Sequence, residues 1–413
     1  MAGGFRPSRR RLLGGLAGAA LAPVAFAAPA RAPFVRDAAI LADDLFSRYA
    51  YFDGASRRRF RTRYAAMAPR IAAAEGAEAF LPLLEELLGA LQDDHAYVVE
   101  RGPRSLRRIP GETDIWARWS EGEARVEAVR IGSEADSVGI GPGHRIVRVQ
   151  GISIPTAVQR WSAGASDEGT RDWAVRHLVA GPWSGPFTLD IAHGDGTRRL
   201  ELLRRVPGED DAPAPMAWRR IGERRDLAYL RLRDGLGDAR IVNELDGLLA
   251  RLAGARALLL DLRDLNDPGD PAVTRALLGR FALGRIAWQV RERRLGSGSS
   301  KETDYIQGEG VRNTLPVFAL VDRWTAGEGE SFAAGLHACG ATLIGTRMAG
   351  LRGIAGETHL PHSGLTVRYP VERTLLDDGR PRESLRPQVL VDMSQPSGGP
   401  GDPILYQALK SAG

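Results

Sequence analysis

The sequence predicts an α/β multidomain protein: a helical unit, then a small β unit, then a unit in which strands and helices alternate. Three observations predict it. Apolar residues recur at helical spacing from Pro33 to about Arg101. From residue 111 to about 205 the chain breaks into short strand patterns punctuated by glycine. Beyond a proline-dotted acidic linker, Pro207 to Pro215, apolar strands alternate with amphipathic helices. The expected boundaries are 1–32 for a leader, then 33–110, 111–205 and 206–413. A chain of 413 residues exceeds one typical domain, and a hydrophobic content of 43% supplies real cores.

The formal charge of +5 is concentrated at the start, because residues 1–32 hold five arginines and no acid. The rest is near neutrality and shows no basic face with interleaved aromatics, which argues against nucleic acid. Ser8-Arg9-Arg10-Arg11-Leu12-Leu13 precedes a Gly/Ala/Leu run and the small-x-small sites Ala25-Phe26-Ala27 and Ala30-Arg31-Ala32. This pattern reads as a twin-arginine-type export signal, so a periplasmic or secreted protein is expected, with no membrane span in the mature chain. Cys339 is the sole cysteine and reads as a small buried residue. Lysine occurs only at 301 and 410, which limits mechanisms that need a lysine base.

In the first unit Leu41, Leu45, Tyr49 and Phe52 mark one helix face. Phe80, Leu83, Leu84, Leu87, Leu88 and Leu91 mark another, with Gly76 between. The last helix ends at Gln92-Asp93-Asp94-His95, before a short strand at Tyr97-Val98. Taken alone, His95 is open to two readings, a catalytic base or a solvated turn residue. In the second unit Ile146, Val147 and Val149 suit a strand, and Phe187 to Ile191 with Arg199 to Leu203 suit a hairpin around Gly194-Asp195-Gly196. In the third, Leu227 to Leu232, Ala257 to Arg263, Val317 to Val321 and Ala341 to Ile344 read as strands. Helices are expected over about Ile241–Leu252 and Pro271–Phe281, and a glycine-serine loop over Gly296–Ser300. Between the last two strands, Thr325-Ala-Gly-Glu-Gly-Glu-Ser-Phe-Ala-Ala-Gly-Leu makes a glycine-broken turn that opens a helix. Unpaired N–H groups at such a start stabilise a developing oxyanion.

The run Gly132-Ser133-Glu134-Ala135, Gly139-Ile140-Gly141-Pro142-Gly143-His144-Arg145-Ile146-Val147 resembles a PDZ domain, with His144 where an aspartate is usual. That resemblance implies capture of peptide or protein C-termini, placed here at Gly139, Ile140 and Gly141. With the last unit included, nearly the whole mature chain resembles the C-terminal processing (tail-specific) serine peptidases and their tricorn-core branch. The landmarks are Asp94-His95, Ala228-Tyr229-Leu230-Arg231, Asp261-Leu262-Arg263 with Asn266 and Gly269, the Thr325–Leu336 turn and helix, and Asp377-Asp378-Gly379-Arg380-Pro381-Arg382-Glu383 before Pro387. The resemblance implies a helical domain, a PDZ-like domain and a crotonase-like α/β peptidase domain.

It also implies site roles. The nucleophilic serine of the family lies two residues after the threonine of the central turn, and that position is Gly327. Lysine-type members need a lysine after the strand at Ala341–Ile344, where this chain reads Met348-Ala349-Gly350-Leu351-Arg352, and arginine does not act as a base. The tricorn-like arrangement makes His95 the base and Glu383 its orienting carboxylate. Oxyanion donors are the N–H of Glu328 and one from the Asn266–Gly269 loop, assigned to Gly269. No cofactor is implied. A metal site at His359 and His362 is not expected, and His177, His193 and His337 show no convergent carboxylate spacing. The sequence therefore points to an exported homologue of serine peptidases that has lost its nucleophile and binds peptide ends. Two rivals are a working endopeptidase using His95, Glu383 and a displaced nucleophile such as Ser331, and a non-catalytic periplasmic scaffold.

Overall fold

The structure, a computed structural model, describes residues 33–162, 167–194, 196–204, 214–233, 235–266, 268–296, 298–393 and 401–413. The expected leader and most of the acidic linker lie outside the described residues.

Three helices open the described chain: α1 (Pro33–Arg48), α2 (Gly54–Ala72) and α3 (Ala77–Leu88). The Asp53 carboxylate caps α2 by accepting the Ser56 N–H at 2.7 Å. All ten apolar positions named above for this unit are buried. Their core is not self-contained, because Leu360, Leu365, Val367 and Tyr369 from much later in the chain complete it. A short strand, β1 (Tyr97–Val98), follows and pairs antiparallel with residues 367–368, tying this segment to the last unit.

The middle unit contains β2 (Ile115–Ser120), β3 (Glu123–Val129), α4 (Glu134–Ser137), β4 (Arg145–Val149), β5 (Ile152–Ser153), α5 (Ile154–Trp161), α6 (Glu168–Ala180), β6 (Gly185–His193) and β7 (Gly196–Arg204). Its antiparallel sheet runs β2-β3-β4-β6-β7, with β5 on β4, around one apolar core. Helix α6 was not anticipated. Its sequence, Glu-Gly-Thr-Arg-Asp-Trp-Ala-Val-Arg-His-Leu-Val-Ala, has weak periodicity, and burial of Trp173, Ala174, Val175 and Val179 against the sheet holds it.

The last unit comprises β8 (Met216–Ile221), β9 (Leu227–Leu232), α7 (Arg240–Leu249), β10 (Ala257–Asp261), α8 (Pro271–Gly279), β11 (Arg285–Leu295), β12 (Gly298–Gln307), β13 (Val317–Val321), α9 (Glu328–Ala338), β14 (Thr342–Gly345), β15 (Ile354–His359), β16 (Thr366–Leu376), β17 (Val389–Leu390) and α10 (Pro403–Ala412). One sheet runs β17-β14-β13-β10-β9-β8, parallel except for β8 at its edge. Every residue of β10 is buried, as a parallel strand covered on both faces requires. A second, antiparallel sheet runs β1-β16-β11-β12 with β15 on β16. Gly298–Ser300, expected as loop, instead begins β12, with Ser300 opposite Arg293. The polar composition reflects an exposed edge strand. No helix among the described residues is long and apolar enough to cross a membrane.

Candidate active site

The turn between β13 and α9 is the centre. Gly327 takes φ 55° and ψ −114°, a conformation that L side chains rarely adopt. A strand, a strained residue and a helix start in sequence make the type of elbow on which nucleophiles are presented. The residue at this apex has no side chain.

Glu330, three residues on, is 1% exposed and holds the turn. Its carboxylate accepts the Gly327 N–H at 3.2 Å, the Gly350 N–H at 2.9 Å and the Leu351 N–H at 3.0 Å. Burial pushes this carboxyl above its ordinary range, against the opposing pull of Arg382 and the three amides. Arg382, also 1% exposed, donates to Ser331 Oγ at 2.6 Å and to the Leu351 and Gly353 carbonyls. Ser331 is thus buried with its hydroxyl engaged by a guanidinium. That environment argues against Ser331 as the displaced nucleophile. The signal for Glu330 was present in the sequence, since a glutamate at the third helical position reaches back to the helix-start amide.

Leu265 and Gly269 pack against the same helix start. The Ala326 N–H donates to the Leu265 carbonyl at 2.8 Å. A Cβ on Gly269 would lie 2.7 Å from the Glu328 Cβ and 2.1 Å from the Gly235 carbonyl oxygen, so only glycine fits. The two residues assigned as oxyanion donors, Glu328 and Gly269, are therefore neighbours. The Glu328 carboxylate points elsewhere and accepts the Thr274 hydroxyl at 2.9 Å.

His95 is 2% exposed, which excludes a solvated turn residue. Gln92, in the left-handed region at φ 53°, ends the preceding 3-10 turn. Asp93 then accepts the His95 N–H at 3.0 Å and the Tyr49 hydroxyl at 2.7 Å. Asp94 faces away, to Arg176 at 2.9 Å and His177 at 3.1 Å on α6. Burial alone would raise the Asp94 carboxyl, but those two partners hold it at about 2. The His95 Nδ1 lies 2.7 Å from the Arg352 carbonyl oxygen. His95 and Gly327 are thus joined through one loop, because Glu330 grips residues 350–351 and His95 meets residue 352. Glu383 stands on the half-buried 3-10 turn Arg382–Ser384. Its Oε2 is buried without a hydrogen-bond partner among the described residues, as is the Tyr51 hydroxyl. Burial first, and then the Glu383 charge, raises the Tyr51 hydroxyl above its ordinary range.

The middle unit docks on the residues that lead into the elbow. Arg323 pairs with Glu127 through Nε at 3.0 Å, donates to the Met348 carbonyl at 2.9 Å and lies over the Trp116 ring. The Trp324 indole donates to the Thr113 carbonyl at 2.6 Å. Gly139, Ile140 and Gly141 follow α4 in the middle unit. Their N–H groups donate to Asp136 O, Ala135 O and His144 Nδ1 within the turn. Asp261 and Asp402 clasp Arg263, joining β10 to α10, while the Tyr229 hydroxyl donates to Asp261 at 2.5 Å. Three of the landmark residues, Tyr229, Asp261 and Arg263, are thus structural. Cys339 is half-buried rather than buried as expected, and partial burial pushes its thiol up to about 11, away from reactive thiolate.

Residues 226–391 match the sequence model of Peptidase family S41. No curated protein sequence matches the chain significantly. Among solved structures, the photosystem II D1 C-terminal processing protease superposes with a TM-score of 0.54 at 17% identity, over 87% of this chain and 92% of that one. Mature CPAF gives 0.57 at 14% identity over 87% and 92%. A putative peptidase from Parabacteroides merdae gives 0.53 at 16% identity over 92% and 96%. At these identities the superpositions establish a shared fold. The elbow, Glu330 and residues 265–269 all lie inside the segment that matches the model of Peptidase family S41.

Proposed function

We infer that this chain binds peptide or protein ends in a cleft of serine-peptidase design and hydrolyses them at a trace rate at most. Gly327 carries the reading, since it occupies the apex of the elbow and offers no hydroxyl. Loss of a nucleophile costs on the order of 10⁶ in turnover in a serine protease, roughly 8 kcal/mol. His95 is the base of this design. With Nδ1 donating to the Arg352 carbonyl, Nε2 keeps the lone pair that base chemistry needs. The resemblance assigns Glu383 to support it, but the Arg352 carbonyl takes the Nδ1 proton that an orienting carboxylate would accept, so that carbonyl orients the ring while Glu383 stands beside Tyr51. The amides of Glu328 and Gly269 form the oxyanion site. Residues 111–205 act as a PDZ-like recognition unit, and the N-terminal arginine pair directs export.

A fluorogenic peptide library run on the wild type and on Gly327→Ser tests the reading. The expected result is no turnover for the wild type and measurable turnover, with fluorophosphonate labelling at residue 327, for the variant. Wild-type turnover equal to that of the variant ends the proposal. Failure of C-terminal peptides to bind the wild type in titration favours the scaffold reading instead.

A further inference from the structure

Away from the elbow, a cavity of about 530 Å³ opens between the N-terminal helices, residues 96–109 and helices α5 and α6. Leu88, Val98, Leu106, Ile109, Trp161 and Trp173 line it. Such a volume with apolar and aromatic walls suits a small organic group.

The charges around the cavity are unevenly satisfied. Arg63 pairs with Glu86, and Arg101 pairs with Glu112 while lying 3.7 Å over the Trp183 ring. Arg107 donates to the Glu112 carbonyl, and Arg108 donates to the Val99 carbonyl and lies over Tyr97. On the acidic side, Asp93 and Asp94 are engaged as described, and Glu100 accepts the Thr366 N–H at 2.7 Å. Glu85 has no ion pair among the described residues, and burial raises its carboxyl above the ordinary range against the smaller opposing pull of Ser105, Arg101 and Arg108. Arg104 and Arg160 line the cavity, are exposed, and have no ionic or hydrogen-bond partner among the described residues. The charge left over at the mouth is therefore positive.

We propose that this cavity binds a small apolar acid, its body against Leu88, Trp161 and Trp173 and its single carboxylate against Arg104 and Arg160. The same chemistry is offered by a free fatty or aromatic acid and by the last residue of a peptide. The site is separate from the elbow and does not depend on whether the cleft hydrolyses anything. Asp93 and Asp94 are among its lining residues, so it borders the turn that carries His95.

The test uses the full chain, with binding followed by calorimetry and by tryptophan fluorescence. The probes are decanoate, N-acetylphenylalanine and the neutral amide of each. At least one acid is expected to bind with one-to-one stoichiometry, with its amide about tenfold weaker or worse for want of the charge-assisted bonds. Arg104→Ala with Arg160→Ala is expected to weaken the acid about tenfold while leaving the thermal melt unchanged, because both side chains are exposed. Binding of decanoate alone identifies a free acid as the source, and binding of N-acetylphenylalanine identifies a peptide end. The proposal is overturned if neither acid binds at millimolar concentration, if the amides bind as well as the acids, or if the double arginine variant binds like the wild type.

Discussion

The turn at residue 327 and the turn at residue 95 reach the same loop, residues 349–353, but are held in different ways. The first is local. Gly327 accepts the N–H groups of Glu330 and Ser331, Glu330 bonds back to Gly327, and the geometry follows from a strand, a glycine and a helix start within about ten residues. The second is assembled from distant parts of the chain: Tyr49 through Asp93, α6 through Asp94, Arg352 through the imidazole, and β16 through pairing with β1. The locally built half lacks its reactive atom, whereas the assembled half keeps its histidine buried and bonded. Loss of a hydroxyl at a strained glycine position leaves local bonding intact, while the turn that carries residue 95 is tied to four separate parts of the molecule.

Glu330→Ala is expected to cause the largest disruption. It leaves three backbone amides without their acceptor, at about 3–5 kcal/mol of stability in urea titration. A loss under 1 kcal/mol would show that the elbow is not held by this residue. Asp93→Ala probes the assembled half by stripping acceptors from the Tyr49 hydroxyl and the His95 amide. A loss of about 2–3 kcal/mol is expected, together with a shifted His95 resonance in NMR. Gly327→Ala places a Cβ on a backbone in the left-handed half of conformational space. It should lower stability by about 1–3 kcal/mol without altering the His95 resonance, and a shift there would break the distinction between the two turns. The mildest effect concerns pH. Asp94 is held at about 2 against an ordinary value of 3.8, so its contribution is fully present above 3.8 and is lost as pH falls through about 2. Wild type should shed about 2 kcal/mol across that window, and Asp94→Asn should show a flatter acid limb.

The same contrast explains what was legible in the sequence. Helix faces such as Phe80, Leu83, Leu84 and Leu87, the all-apolar strand β10 and the elbow glycine are local signals, and each appears where periodicity and turn chemistry place it. Helix α6 was missed because its stability comes from burial of Trp173 and Val175 rather than from a periodic face. The shared core under α1–α3 was missed because Leu360 to Tyr369 arrive from almost 300 residues away. The role of Arg382 was hidden for a related reason: nothing beside it in the sequence shows that its guanidinium would meet Ser331, Leu351 and Gly353.

The sequence by itself determined the succession of units, the elbow between β13 and α9, and the absence of a hydroxyl at its apex, because helix, strand and turn preferences act over a few neighbouring residues. Only the tertiary structure decided that His95 is buried, that its Nδ1 meets a backbone carbonyl, and that Ser331 is sealed beneath Arg382. Those outcomes depend on which distant groups satisfy each buried donor and acceptor, and the chain must close its cores before those groups meet.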